Sequence, residues 1–246
     1  VSFAVPEKLS IARLLLEELK VNRIEIASAR VSEEEFDAVS RVCEWARRRG
    51  HLDRVEVLGF IDGGMSVDWI GRAGGRVVNL LAKGSLRHCR LQLRKTPEEH
   101  LDDIKQMIRC ACRAGIRVNL YLEDWSSGMQ ESPEYVFAMV DALKNEPIEH
   151  FMLPDTLGIL NPYQTFDFCR VMVKRYPGLR FDFHAHNDYD LAVANVYAAV
   201  LVGVTGVHST VNGLGERAGN APLSSVLAIL HDQLKVSTTV SYTHLR

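Results

Sequence analysis

Strand-like and helix-like segments alternate along almost the whole chain, and this alternation limits the fold more than any other feature of the sequence. Short runs of apolar and β-branched residues recur at intervals of roughly 25–35 residues, and an amphipathic helical pattern follows each of them. Parallel strands need such crossover helices, whereas antiparallel strands can be joined by tight turns. The pattern therefore predicts an α/β fold with one parallel sheet and helices outside it.

The predicted elements are seven strands and eight helices, and a helix comes first. The strands cover residues 23–29, 54–60, 77–81, 117–123, 150–156, 181–186 and 207–212. The helices cover residues 6–19, 33–49, 67–73, 97–114, 133–143, 162–176, 191–202 and 222–234.

A TIM (β/α)8 barrel has eight strands, and each strand precedes its helix. We therefore predict a barrel of this type that lacks its first strand, with the gap between the strands at residues 23–29 and 207–212. The chain starts at Val1 without an initiating Met, which agrees with a barrel that begins further upstream in the gene product. Residues 1–235 are predicted to form this one domain, and residues 236–246 are an uninterpreted tail.

The composition is that of a globular protein and excludes several functions. Hydrophobic residues make up 47% and charged residues 24% of the chain. The 29 basic and 31 acidic residues give a net charge of −2, so there is no general electrostatic argument for binding nucleic acid or an anionic membrane. No apolar run approaches the roughly 18–20 residues of a membrane span, and there is no signal-peptide pattern. The five scattered cysteines favour a reducing cytoplasm.

The segment around His184 and His186 says most about function. Phe181 and Phe183 alternate with polar residues at the period of a strand, so the two histidines project to the same side, where they could share one metal ion. Hydrogen-bonded histidines without a metal explain this pair alone equally well. Asn187-Asp188 directly after the pair and a glycine-rich loop at residues 212–220 make a divalent-metal enzyme the favoured interpretation.

A metal ion needs about four to six donor atoms, so two histidines are not enough. Further candidate ligands are Asn220, Glu216, Asp155 and Asn212, and their spacing does not rank them. For Asp188 we favour a role in orienting a histidine through its other ring nitrogen. Capping the following helix is nearly as good an explanation of Asp188.

Two further strand ends are candidates for chemistry. Glu123 ends an apolar strand and precedes Asp124-Trp125, and a carboxylate beside an aromatic ring can acquire a raised pKa that suits acid–base catalysis. Many carboxylates at strand ends only cap helices. Thr156 offers a hydroxyl that binds a substrate carboxylate or caps a helix. Since catalytic groups of such barrels lie at the C-terminal strand ends, we expect Glu123 and Thr156 to share one rim with the two histidines.

Three motifs together resemble a known group of enzymes. They are His-Ala-His-Asn-Asp at residues 184–188, Asn-Gly-Leu-Gly-Glu-Arg-Ala-Gly-Asn at 212–220, and Leu-Pro-Asp-Thr-Leu-Gly at 153–158. These motifs are similar to the catalytic barrel of the isopropylmalate, homocitrate and citramalate synthases, a metal-dependent acyl-CoA group that also contains hydroxymethylglutaryl-CoA lyase. The resemblance covers residues 1 to about 234, and residues 79–85 and 121–125 are most similar to the citramalate synthase branch.

The resemblance implies an acyltransferase that condenses acetyl-CoA with a 2-keto acid in branched-chain amino-acid biosynthesis. Pyruvate, which would give citramalate, is the favoured keto acid. By resemblance, His184 and His186 bind a divalent ion (Mg, Mn or Zn), Glu123 is the acid–base group, Thr156 binds the keto-acid carboxylate, Leu58 and Leu81 line the keto-acid side-chain pocket, and Tyr121 borders it. Two leucines would favour pyruvate over the branched 2-ketoisovalerate, although one methylene is worth only about 1–3 kcal/mol.

The signature of the family's first strand, Leu-Arg-Asp-Gly-Glu-Gln, is absent from this sequence. The resemblance places its Arg and a metal-ligand Asp upstream of Val1, so we expect the chain alone to bind a divalent ion weakly and to be inactive. It also implies a cytoplasmic homodimer for the full-length protein, acting on small molecules and not on nucleic acid or membranes. The alternatives are a 2-isopropylmalate synthase that uses 2-ketoisovalerate, a metal hydrolase, or an inactive barrel fragment.

Overall fold

A computed structural model describes residues 3–236 and residue 240. Its strands are β1 (Ile24–Ile26), β2 (Val55–Phe60), β3 (Val77–Lys83), β4 (Arg117–Glu123), β5 (Ile148–Asp155), β6 (Phe181–Ala185) and β7 (Gly206–His208). Its α-helices are α1 (Val5–Arg13), α2 (Glu33–Arg49), α3 (Met65–Arg72), α4 (Pro97–Arg113), α5 (Trp125–Glu131), α6 (Pro133–Leu143), α7 (Pro162–Arg175), α8 (Ala192–Leu201) and α9 (Leu223–Ala228). The tail predicted for residues 236–246 lies almost entirely outside the described residues.

The seven strands form one parallel sheet in sequence order, with β1 and β7 at its two edges. The sheet curls, because the hydroxyl of Tyr121 in β4 lies 3.1 Å from a carboxylate oxygen of Glu25 in β1 and 3.0 Å from Nδ1 of His208 in β7. Adjacent strands lie about 4.8 Å apart, so three strand spacings would separate these residues in a flat sheet. Within the described residues β1 and β7 do not pair with each other, and the prediction of an incomplete TIM-type barrel is confirmed.

The two faces of the sheet differ sharply in polarity, because successive side chains of a strand point in opposite directions. The outer face packs against the helices and carries buried apolar side chains, among them Val57, Leu80, Leu120, Leu153 and Phe183. The inner face carries buried polar side chains, among them Glu56, Asn79, Asn119 and Asp182. Burial of the outer face stabilises the fold, and the inner face presents the groups that can do chemistry.

Local capping signals fix where several helices begin. Ser32, Thr96 and Asn161 each accept a hydrogen bond from the backbone N–H three residues further on, at 3.0–3.2 Å. Such caps satisfy amide groups that the first turn of a helix leaves without partners. The starts predicted for α2, α4 and α7 are therefore confirmed.

The sequence predictions are wrong at the sheet edges and at one short helix. The strand predicted over residues 23–29 pairs only over Ile24–Ile26, and the one predicted over 207–212 ends at His208. Each edge strand has a neighbour on one side only, so fewer hydrogen bonds extend it. Helix α5 was not predicted, because its Ser-Ser-Gly stretch has low helix propensity.

No helix in the described part of the chain has the length and apolar character needed to cross a membrane.

Gly206 in β7 makes room for a buried carboxylate. Its partner in β6 is Asp182, whose side chain is fully buried and accepts hydrogen bonds from His150 at 3.0 Å and Arg23 at 2.5 Å. A Cβ atom added at residue 206 would lie 2.3 Å from Oδ1 of Asp182.

We therefore expect Gly206→Ala to lower the free energy of unfolding by about 1–3 kcal/mol, as overpacking of a core does. Gly178→Ala is a matched control, because a Cβ atom there meets nothing within 4 Å. Its free energy of unfolding should change by no more than about 0.5 kcal/mol. Urea unfolding of both variants measures the difference, and equal stabilities would contradict this account of Gly206.

Candidate active site

His184 at the end of β6 and His186 just beyond it direct their rings at a common point. Their Nε2 atoms lie 3.3 Å apart. Asn220, at the end of the glycine-rich loop, forms an antiparallel bridge with His186 and places its amide nitrogen 3.2 Å from Nε2 of His184. The structure thus brings together the two predicted metal ligands and Asn220, one of the four further candidate ligands.

Both imidazoles favour the neutral form that binds metal ions. Burial lowers the pKa of His184 well below its usual value, and the neighbouring His208 and His186 lower it further. Burial also lowers the pKa of His186, and the charge of Arg217 acts in the same direction. The Nδ1 atoms of both rings are buried and have no hydrogen-bond partner within the described residues.

These residues fit part of a ligand set for a divalent ion. Two neutral imidazole nitrogens face one point, and exchanging the two amide atoms of Asn220 would present its oxygen there. No group of three or more His, Cys, Asp or Glu side chains within residues 3–236 is arranged to hold a metal. His184, His186 and Asn220 therefore supply at most three of the four to six donor atoms that a metal ion needs.

The glycine-rich loop is fastened to the rim by Arg217. Its guanidinium donates to both carboxylate oxygens of Asp188, at 2.8 and 2.9 Å, and to the carbonyl oxygen of Thr156 at 2.8 Å. Asp188 therefore pairs with an arginine, and no hydrogen bond joins it to the histidine ring nitrogens that we expected it to orient. Its carboxylate holds the loop that carries Asn220.

The other candidate ligands either have other hydrogen-bond partners or are exposed to solvent. Asp155 is fully buried, and its two oxygens each accept a backbone N–H, from Ile159 and Leu160 at 3.0 Å. It therefore stabilises the turn after β5. Glu216 and Asn212 are exposed on the glycine-rich loop.

Glu123 and Thr156 occupy the neighbouring part of the rim, at the ends of β4 and β5. The carboxylate of Glu123 forms an ion pair with the ammonium group of Lys83 at the end of β3. The hydroxyl oxygen of Thr156 accepts a hydrogen bond from the backbone N–H of Asp124 at 2.8 Å. Trp125 is fully buried and packs against two phenylalanines. We expected the Trp125 indole to lie beside the Glu123 carboxylate. The structure instead pairs this carboxylate with the ammonium group of Lys83.

Tyr121 connects the predicted keto-acid pocket to Glu25, a polar residue at the end of the first predicted strand, and to His208, which was not predicted as a site residue. Burial raises the pKa of Glu25, and the hydrogen bond from Asn79 opposes this. Burial also raises the pKa of Tyr121 well above its usual value, and the nearby Glu25 adds to the shift. Both residues stand at inward-facing positions of the edge strands, so the two-residue period of β7 is the sequence signal that points to His208.

Leu58 and Leu81 lie on the inner face and are half-buried. Leu81 is the register partner of Tyr121, and Leu58 is that of Asn79. The structure therefore places both predicted pocket residues on the same inner face as Tyr121.

A cavity of about 1160 Å³ separates β1 from β7. Apolar side chains of the surrounding helices line much of it, including Ala12, Val39, Val42, Val226 and Leu227. Glu25, His184 and Asn220 also border it. The gap in the barrel therefore opens onto His184, one of the two histidines of the pair.

A curled parallel barrel with convergent polar groups at its C-terminal rim is the architecture of TIM-barrel enzymes. The HMGL-like family matches residues 1–246, and this chain belongs to that family.

Curated relatives are about one-third identical to the chain. A probable 2-isopropylmalate synthase of Ignicoccus hospitalis is 32% identical over 241 residues, covering 98% of this chain and 58% of that protein. A homocitrate synthase of Sulfurisphaera tokodaii is 32% identical over 238 residues, covering 94% and 49%. A putative (R)-citramalate synthase of Methanopyrus kandleri is 32% identical over 241 residues, covering 98% and 46%. The chain spans about half the length of these relatives.

Among solved structures, the HMG-CoA lyase of Bacillus subtilis matches with a TM-score of 0.84 and 22% identity. The match covers 100% of this chain and 84% of the lyase chain. At this identity the likeness supports the barrel fold and says nothing of the substrate.

Proposed function

We propose that this chain is the catalytic barrel of an acyltransferase that condenses acetyl-CoA with a 2-keto acid, with pyruvate favoured. The observation that carries the proposal is the meeting of two neutral imidazoles with Nε2 atoms 3.3 Å apart on the same rim as Glu123 and Thr156. The relatives named above as synthases of 2-isopropylmalate, homocitrate and citramalate support this reaction class.

The proposed cofactor is a divalent metal ion held by His184, His186 and Asn220. Such an ion, when bound, supplies a Lewis acid that makes a keto-acid carbonyl carbon more electrophilic. The two imidazoles are suited to this role because burial keeps them neutral.

In this proposal Glu123 is the base and Thr156 binds substrate. The Glu123 carboxylate removes a proton from the methyl group of acetyl-CoA, and that carbon forms a bond to the keto carbon of the second substrate. The π electrons of the keto group move to its oxygen, which takes up a proton from solvent to become a hydroxyl. Hydrolysis of the thioester then releases CoA. The Thr156 oxygen already accepts a hydrogen bond from Asp124, so its own hydrogen is available to donate to the keto-acid carboxylate.

We further propose that a strand with the signature Leu-Arg-Asp-Gly-Glu-Gln fills the cavity between β1 and β7 in the full-length protein. Among the described residues, the outer edges of β1 and β7 have no strand partner and face a cavity of about 1160 Å³, which supports this. The Asp of this strand would add a carboxylate to the donors that His184, His186 and Asn220 offer.

The proposed location is the cytoplasm, where cysteines stay reduced, and the five cysteines of this chain are free. The proposed full-length state is a homodimer.

The keto acid is tested with the full-length protein by measuring release of free CoA from acetyl-CoA across a panel of 2-keto acids. We expect kcat/KM for pyruvate to exceed that for 2-ketoisovalerate by about tenfold or more, because Leu58 and Leu81 narrow the pocket. Leu81→Ala should reduce this preference. Leu201→Ala, which shortens a leucine that is 51% exposed on α8, should leave it unchanged.

Each result of the keto-acid panel favours a different function. A preference for 2-ketoisovalerate in the unmodified protein would assign it as a 2-isopropylmalate synthase. Failure of the full-length protein to release CoA with every keto acid would contradict the proposed reaction and favour the hydrolase alternative.

A further inference from the structure

Asp124 lies directly after Glu123 in an unusual backbone conformation. Its φ is 65° and its ψ is 28°, in the left-handed region that residues other than glycine seldom adopt. Such a conformation costs energy and persists only where the surrounding structure holds it. The Asp124 side chain is almost completely buried, so its contacts determine whether the conformation is kept.

The carboxylate of Asp124 receives hydrogen bonds from two hydroxyl groups. Ser85, in the loop after β3, donates to Oδ2 at 2.7 Å, and Ser127, in α5, donates to Oδ1 at 2.7 Å. Nε2 of His88 lies 3.5 Å from Oδ2. Both carboxylate oxygens are thus engaged, which fixes the side chain and the backbone that carries it.

Asp124 is connected to Thr156, Glu123 and Lys83, the three functional candidates of this part of the rim. Its backbone N–H donates to the hydroxyl of Thr156 at 2.8 Å, which ties the end of β4 to the end of β5. It is covalently joined to Glu123. Its partner Ser85 is two residues from Lys83, the cation that pairs with Glu123.

We propose that Asp124 is a positioning residue that holds Glu123, Lys83 and Thr156 in one arrangement at the C-terminal rim. It touches neither substrate and acts through these neighbours. This inference rests on the proposed function, because it assumes that Glu123 and Thr156 act on acetyl-CoA and a 2-keto acid.

The test is Asp124→Asn in the full-length protein. Asparagine tolerates the left-handed conformation, so this change removes the charge and one acceptor with little backbone strain. The matched control is Asp62→Asn, since Asp62 follows β2 and accepts a hydrogen bond from the hydroxyl of Ser66 at 2.6 Å. Asp124→Asn should lower kcat about 10–100-fold and raise KM for the keto acid, because small displacements of positioned groups are costly. KM for acetyl-CoA and the metal content should stay unchanged.

A double-mutant cycle distinguishes positioning from loss of stability. When Thr156→Val is already present, adding Asp124→Asn should raise the keto-acid KM no further, because the hydroxyl through which Asp124 acts is gone. Additive effects on that KM, or a loss of activity by Asp124→Asn equal to that of Asp62→Asn, would overturn the proposal. If Asp124→Asn does not fold, Ser127→Ala removes one hydrogen bond from the same carboxylate and should give a smaller change of the same kind.

A measurement that does not depend on turnover distinguishes a failure of this inference from a failure of the proposed function. Deuterium exchange in residues 121–128 should be faster in Asp124→Asn than in Asp62→Asn, because Asp124 holds that segment. Unchanged exchange would contradict the positioning role. The unmodified protein could release no CoA with any 2-keto acid while deuterium exchange still rises in Asp124→Asn. That result would refute the proposed reaction but would still show that Asp124 holds residues 121–128 in place.

Discussion

Replacing His186 by alanine in the full-length protein is expected to remove the bound divalent ion and to lower turnover by at least about 10²–10³-fold. His186 supplies one of two Nε2 atoms that face a common point 3.3 Å apart, and its loss leaves one imidazole and one amide. An electrostatic contact at the reacting carbonyl is commonly worth about this factor in rate. Metal content by mass spectrometry and steady-state release of CoA measure the two effects independently.

His231→Ala is the control for this experiment. His231 is exposed in the short π-helix Ile229–Gln233 that follows α9, and it hydrogen-bonds to its neighbour Asp232. Its replacement should leave both metal content and turnover unchanged. A His186→Ala protein that keeps a full complement of metal would show that the ion binds elsewhere.

Glu123→Gln is expected to slow turnover about 10²–10⁴-fold and to leave the metal content intact. Glutamine keeps the size of the side chain but cannot accept the proton of the acetyl methyl group, and general-base catalysis contributes about this factor. Exchange of the acetyl-CoA methyl protons with deuterated water, followed by NMR, reports this step without the later ones. The exchange should fall together with turnover.

Glu131→Gln is the matched control for Glu123→Gln. Glu131 is exposed at the end of α5, so the same loss of a carboxylate there should alter neither exchange nor turnover. If Glu123→Gln loses metal in proportion to its activity, Glu123 belongs to the ligand set. Full methyl exchange in that variant would assign the base to another residue.

The sequence by itself determined the features that depend on short stretches of chain. The alternation of strand and helix patterns predicted a parallel barrel, and the capping residues Ser32, Thr96 and Asn161 fixed three helix starts. The period of two in β6 put His184 and His186 on one side, and their Nε2 atoms do face each other. These properties follow from backbone geometry and from hydrogen bonds between residues close in sequence.

Only the tertiary structure decided which distant residues meet. The ion pair between Lys83 and Glu123, the hydrogen bond from Asp124 to Thr156 and the pairing of Arg217 with Asp188 join strands and loops that are remote in sequence. The same holds for the hydroxyl of Tyr121, which reaches both sheet edges. The curl of the sheet and the packing of its inner face set these distances. Since curl and packing depend on all seven strands together, no local pattern encodes them.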